Sequence, residues 1–203
     1  LATTLLCLSH SEKFSNWAET LLIEYSLLES TKNTSSSEIF LKGIKKLKSK
    51  IMQNKDNNIV FCCIGTDRVI GDCIGPITGS LLKGVDKNFN VYGDLNENLT
   101  FSNMSQKMRE IKLKYKNPYV VAIDAALSAE SEIGNIYIAD DGIIIGRGLN
   151  KSKKKIGDIG IKVVVGKDYN DNELNFRCLQ NISLSKIMDL SKKISDGIIK
   201  TFE

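Results

Sequence analysis

Two short apolar runs govern what this chain can fold into. Ile59-Val60-Phe61-Cys62-Cys63-Ile64 and Tyr119-Val120-Val121-Ala122-Ile123 are continuous rather than alternating, and rich in β-branched residues. Such runs suit strands covered on both faces, the condition of a parallel sheet held between other layers. The first run leads into Gly65-Thr66-Asp67-Arg68 and then Gly71-Asp72-Cys73-Ile74-Gly75-Pro76, which reads as a polar loop and the start of a helix. The second ends at Asp124. Gly65 and Gly71 can take positive φ or admit a close neighbour. In open α/β sheets, the loops at the carboxyl ends of strands carry ligands and chemistry.

Helical and strand patterns alternate around these runs. Residues 13–30 carry Phe14, Trp17, Leu21, Tyr25 and Leu28 at helical spacing. Ser35 and Glu38 have capping-box spacing before a second helix that reaches about Met52. Ile74 to Leu82 continue as a helix, with Pro76 tolerated in its first turn. Asn90 to Gly93 reads as a short strand, and residues 102–115 as a helix starting at Ser102 or Asn103. Ile133 to Ala139 and Ile143 to Ile145 look like a hairpin turning at Asp140-Asp141-Gly142. Ile161 to Val165 is a further strand, and a helix capped by Ser183 closes the chain. The expected fold is a three-layer α/β/α sandwich with a mostly parallel central sheet over residues 57–203. Residues 1–56 are expected to form an N-terminal helical arm that packs on that domain or on a partner.

Composition narrows the chemistry. The chain has 203 residues and a formal net charge of +4, carried by lysines scattered over helices and loops, so no nucleic-acid partner is expected. No apolar run approaches the roughly 20 residues needed to span a bilayer. Five cysteines with irregular spacing do not form a disulfide framework, which points to a reducing, cytoplasmic setting. A single histidine, His10, removes multi-histidine metal sites and a Ser-His-Asp triad from the main domain. Ser128 and Ser131 have no nearby base to activate them.

Asp72 and Asp124 are the leading candidates. If their strands are parallel neighbours, both carboxylates reach one sheet edge. A carboxylate pair can activate water and protonate a leaving group when the two pKa values are driven apart. A simpler account makes Asp72 a helix cap and Asp124 a strand-end turn former. Asp67, Asp72 and Asp124 could instead hold a hard divalent ion through oxygen ligands, although no cofactor is required. Arg68 could orient a carboxylate or substrate carbonyl. Arg147, in Gly146-Arg147-Gly148, could cradle a phosphate or carboxylate, with Asn150 beside it.

At these motifs the sequence resembles the spore proteases of the YyaC type, relatives of the germination protease that degrades small acid-soluble spore proteins. Gly65-Thr66-Asp67-Arg68, Gly71-Asp72-Cys73-Ile74-Gly75-Pro76, Val91-Tyr92-Gly93 and Ala122-Ile123-Asp124-Ala125 carry the resemblance. Gly148-Leu149-Asn150-Lys151 and Ile156-Gly157-Asp158-Ile159 extend it. It covers about residues 57–202. The resemblance implies the phosphorylase/hydrolase-like fold shared with hydrogenase maturation proteases, and a catalytic pair at Asp72 and Asp124. It further implies a peptidase acting on a spore protein during sporulation or germination, inside the forespore or spore. In the hydrogenase maturation relatives, comparable carboxylates bind a metal together with a histidine, for which this chain has no counterpart past His10. A non-catalytic sporulation protein that binds a peptide or protein partner in the same cleft would present the same motifs. Monomer and homo-oligomer both stay open.

Overall fold

The structure, a computed structural model, describes residues 34–54, 58–85, 89–145 and 154–202. The expected helix over residues 13–30, together with His10, Arg147 and Asn150, lies outside them. In chain order the elements are α1 (Thr34–Gln53), β1 (Ile59–Cys63), a 3-10 turn (Ile70–Asp72), α2 (Ile74–Lys83) and β2 (Asn90–Tyr92). Then come α3 (Met104–Lys114), β3 (Tyr119–Ser128), a 3-10 turn (Glu130–Glu132), β4 (Ile136–Ala139) and β5 (Ile143–Ile145). β6 (Lys154–Ile156), β7 (Ile159–Lys167), α4 (Asn172–Gln180) and α5 (Leu184–Thr201) follow.

The central sheet has the order β2-β1-β3-β7-β4, parallel throughout except for β4, which runs antiparallel to β7. Its two apolar runs sit side by side: Ile59 pairs with Tyr119 and Cys63 with Ile123. Alternation along each strand feeds two cores. Phe61, Cys63, Val121 and Ile123 face one side, where α1, α2 and α5 supply Ile44, Leu47, Ile74, Ile187 and Ile194. Val60, Cys62, Val120 and Ala122 face the other, against Met104 and Ile111 of α3 and Ile143, Ile145 and Ile156 of β5 and β6. Each Val, Leu, Ile, Phe or Met among them, fully removed from water, contributes roughly 1.5–3 kcal/mol. The second outer layer is therefore a helix plus a two-stranded ribbon.

α1 belongs to the first core. Phe40, Ile44, Leu47 and Ile51 recur on its inward face, and all four are buried. Cys62 and Cys63 point to opposite faces, as adjacent strand residues must, and both are free and buried.

Three expectations are corrected. Ile136–Ala139 and Ile143–Ile145 are not partners in a hairpin: β4 adds to β7 at the sheet edge, while β5 pairs with β6. Sequence nearness favours a hairpin, but Ile136 buries its side chain in the main core and Ile143 in the opposite one. β3 does not end at Asp124 but continues to Ser128, because β7 pairs with it that far. Finally, α4 occupies a stretch where no helix was expected, capped by Asp171, whose side chain accepts from the Leu174 N–H at 2.9 Å.

Candidate active site

β1 is shorter than its neighbour, and that mismatch creates the site. Its ladder with β3 stops at Cys63 opposite Ile123, so Asp124 is the first β3 residue beyond the end of β1. The chain leaving β1 is held close by. Ile64 N–H donates to the Ile123 carbonyl at 2.7 Å, and Gly65 N–H donates to the Leu99 carbonyl at 2.9 Å. Gly65 has φ +141°, and a Cβ there would lie 2.0 Å from the Asp72 carbonyl oxygen. The loop folds back over a position that tolerates no side chain. Thr66 N–H then donates to that same Asp72 carbonyl at 3.2 Å. The glycine loop thus returns Asp72 to the end of β1.

Asp72 closes the 3-10 turn, one residue before Cys73, the N-cap of α2. It is therefore not the cap of that helix. Nor is Asp124 a turn former, since it lies inside β3. Both side chains are half-buried. Burial pushes the Asp72 carboxyl up to about 7, partly opposed by the Thr66 backbone N–H. Burial also raises Asp124 well above the ordinary carboxylate range, and the neighbouring Asp72 charge raises it further. The Ala125 N–H and the Lys162 ammonium pull the other way. The structure thus brings the two aspartates within electrostatic reach of each other. Such an environment keeps a proton on the pair near neutral pH, the state a general acid and base require.

Lys162 is the residue that sequence reasoning missed. It pairs with Asp124 in the parallel register of β3 and β7, so both side chains stand on the same sheet face. A cation at that position can stabilise negative charge developing on a substrate.

The other predicted residues take lesser places. Asp67 and Arg68 are exposed on the loop, and the Asp67 N–H donates to Asn98 Oδ1 at 3.1 Å. Cys73 Sγ lies 3.4 Å from each of the Thr66 and Val69 carbonyl oxygens, and its single thiol proton donates to one or the other. Burial, then the Asp72 and Asp67 charges, raise its pKa, so it braces the loop as a neutral thiol. Among the described residues no three His, Cys, Asp or Glu side chains gather as a metal site, so Asp67 does not complete one. Two carboxylates beside a lysine do not fit a cation held by three protein ligands. Asp158, in the Gly157-Asp158 motif, accepts from the Val120 N–H at 2.8 Å and returns its own N–H to the Val120 carbonyl at 2.8 Å. Its role is to pin the start of β3.

A separate cavity of about 280 Å³ opens along β2, lined by Asn90, Val91, Tyr92 and Gly93 together with Tyr115 and Lys114.

The fold and site define a class: a mostly parallel sheet between outer layers, with two proton-retaining carboxylates at its carboxyl edge. Residues 31–197 match the family described as "Protein of unknown function (DUF1256)", and the chain belongs to that family. It is 33% identical over 156 residues to "Uncharacterized protein YyaC" of Bacillus subtilis (strain 168), covering 76% of this chain and 75% of that protein. The fold is similar to that of the NiFe hydrogenase maturation protease HycI from Thermococcus kodakarensis KOD1. That likeness has a TM-score of 0.53 at 20% identity, over 77% of this chain and 97% of the other. At that identity the likeness is one of fold. Among the described residues, no helix is long and apolar enough to cross a membrane.

Proposed function

We propose that the chain is an aspartate-dependent peptidase of sporulating cells, with a spore protein as its substrate. One observation carries the reading: Asp72, in the 3-10 turn that follows β1, and Asp124, in the neighbouring parallel strand β3, lie within electrostatic reach, and burial raises both carboxyls above the ordinary range. Sharing one proton, the deprotonated member takes a proton from water as it attacks the scissile carbonyl. The protonated member gives its proton to the departing amine. Lys162 supports the charge that develops between these steps. The family resemblance supports small acid-soluble spore proteins as substrates and the spore interior as the place of action. Incubating purified protein with such a substrate, with and without chelator, and sequencing the products by mass spectrometry tests the reading. New internal termini that persist with chelator are expected. An intact substrate across that series argues against it.

The cavity favours a second reading, since it lies along β2 rather than between the aspartates. In that reading the protein binds a polypeptide without cutting it. Binding without new termini is its signature.

A further inference from the structure

Among the described residues, the strand β2 has one neighbour, β1, and stands at the edge of the sheet. A strand paired on one side leaves a row of N–H and C=O groups facing outward, a template for another strand. The cavity of about 280 Å³ runs along this strand, since all four consecutive residues from Asn90 to Gly93 line it. α2 and α3 flank the groove, through Lys83 on one side and Lys107, Lys114 and the adjoining Tyr115 on the other. Tyr92 and Tyr115 meet edge to face with ring centroids 6.4 Å apart, giving the groove an aromatic wall.

Charge selects the occupant. Three lysines line the groove against one acid, Glu97. Lys83 is already bridged to Asp94, and Lys107 to Glu97 and Glu110. Lys114 instead sets its ammonium 5.2 Å from the centre of the Tyr115 ring, where it can receive an incoming carboxylate. The far end of the groove abuts the loop that carries Asp72. Beyond Gly93, Asn98 accepts the Asp67 N–H at 3.1 Å and Leu99 accepts the Gly65 N–H at 2.9 Å, which ties this segment to the Asp72 loop.

We propose that the β2 groove binds an extended acidic peptide segment as an added sheet strand, with a carboxylate side chain on Lys114 and an apolar one against Tyr92 and Tyr115. Backbone pairing supplies affinity, and the alternating side chains supply choice. This deepens the peptidase reading, on which it rests for what happens after binding, because it gives the substrate a path toward Asp72 and Asp124.

The test uses a fluorescein-labelled acidic decapeptide with alternating Glu and Leu residues, and its Lys-for-Glu counterpart, in anisotropy titrations with the full chain. The acidic peptide is expected to bind, and Lys114→Glu, at an exposed position, to weaken it roughly tenfold. Amide resonances of Asn90 to Gly93 are expected to shift and gain protection from exchange when it binds. Equal binding of both peptides, indifference to Lys114→Glu, or undisturbed β2 amides would overturn the proposal. The Asp124→Asn variant separates it from the peptidase reading. Peptide binding by that variant and by wild type, with no cleavage by wild type, upholds the groove and sinks the peptidase. Cleavage by wild type that Lys114→Glu leaves unchanged does the reverse.

Discussion

The backbone N–H of Ile64 donates to the carbonyl of Ile123 at 2.7 Å, and this bond carries the end of β1 alongside Asp124. β1 stops there while β3 runs on, so the loop that starts at Gly65 has a free strand flank to lie against. Asp72 comes back over Gly65, beside the stretch of β3 that β1 leaves unpaired. The consequences can be measured.

The Asp72 carboxyl weakens the fold at alkaline pH and leaves it untouched in acid. Its folded-state value of about 7 lies above its ordinary value of 3.8. Between these limits the folded chain holds more protons than the unfolded one, so stability falls as pH rises and the loss is complete above about pH 7. Asp72→Asn carries no charge at any pH. It is expected to exceed wild type at about pH 8 by on the order of 1–3 kcal/mol, with the difference vanishing below about pH 4. Thermal unfolding of both proteins across that range checks this. A variant less stable than wild type at pH 8 contradicts it.

Asp94 behaves the other way. Burial alone would raise its carboxyl, but the Lys83 ammonium and the Glu97 and Asn96 N–H groups outweigh it and hold it below the ordinary range. Those two N–H groups donate at 2.7 Å each. The stability it contributes is present at neutral pH and lost as pH falls through its lowered folded value. Asp94→Ala strands the loop donors and is expected to cost about 2–4 kcal/mol at pH 7. Urea denaturation at pH 7 and at about pH 3 should show that cost shrinking in acid.

Gly65 carries the return of the loop. An added Cβ would meet the Asp72 carbonyl oxygen at 2.0 Å, at a φ of +141°. Gly65→Ala is expected to destabilise the fold by about 2–4 kcal/mol and to displace Asp72, through both overlap and backbone strain. A folded Gly65→Ala protein with an unchanged melting temperature would refute this account of the loop.

Lys162 acts on the site through charge. Its ammonium lowers the Asp124 carboxyl against the stronger pull of burial. Lys162→Gln is therefore expected to move the Asp124 titration to higher pH, read from side-chain carboxyl resonances. No shift, or a shift downward, places Lys162 out of reach of the pair.

Much of this architecture is legible in the amino-acid sequence, and for a physical reason. A run such as Tyr119 to Ile123, with no polar position, has to be covered on both faces, and that alone demands outer layers on a parallel sheet. The length of β3 was not legible, because Ala125, Ala126, Leu127 and Ser128 carry little strand preference of their own and are extended by pairing with β7. Lys162 was hidden for the same reason: only the register between distant strands brings it beside Asp124. α4 was overlooked because its face is mostly polar, although Asp171 with Glu173 in the first turn is a start signal. The aspartate pair could be named because both residues follow apolar runs. Its geometry needed the unequal lengths of β1 and β3.

The most direct test of the paired-aspartate site compares Asp72→Asn, Asp124→Asn and the double variant for cleavage of a small acid-soluble spore protein. Far-ultraviolet circular dichroism of each variant confirms that it is folded. If the two carboxyls share one proton and act together, each single variant loses roughly 100-fold or more of the wild-type rate. The double variant then loses little beyond either one. A single variant that keeps its activity, or losses that multiply in the double variant, would contradict a shared-proton pair.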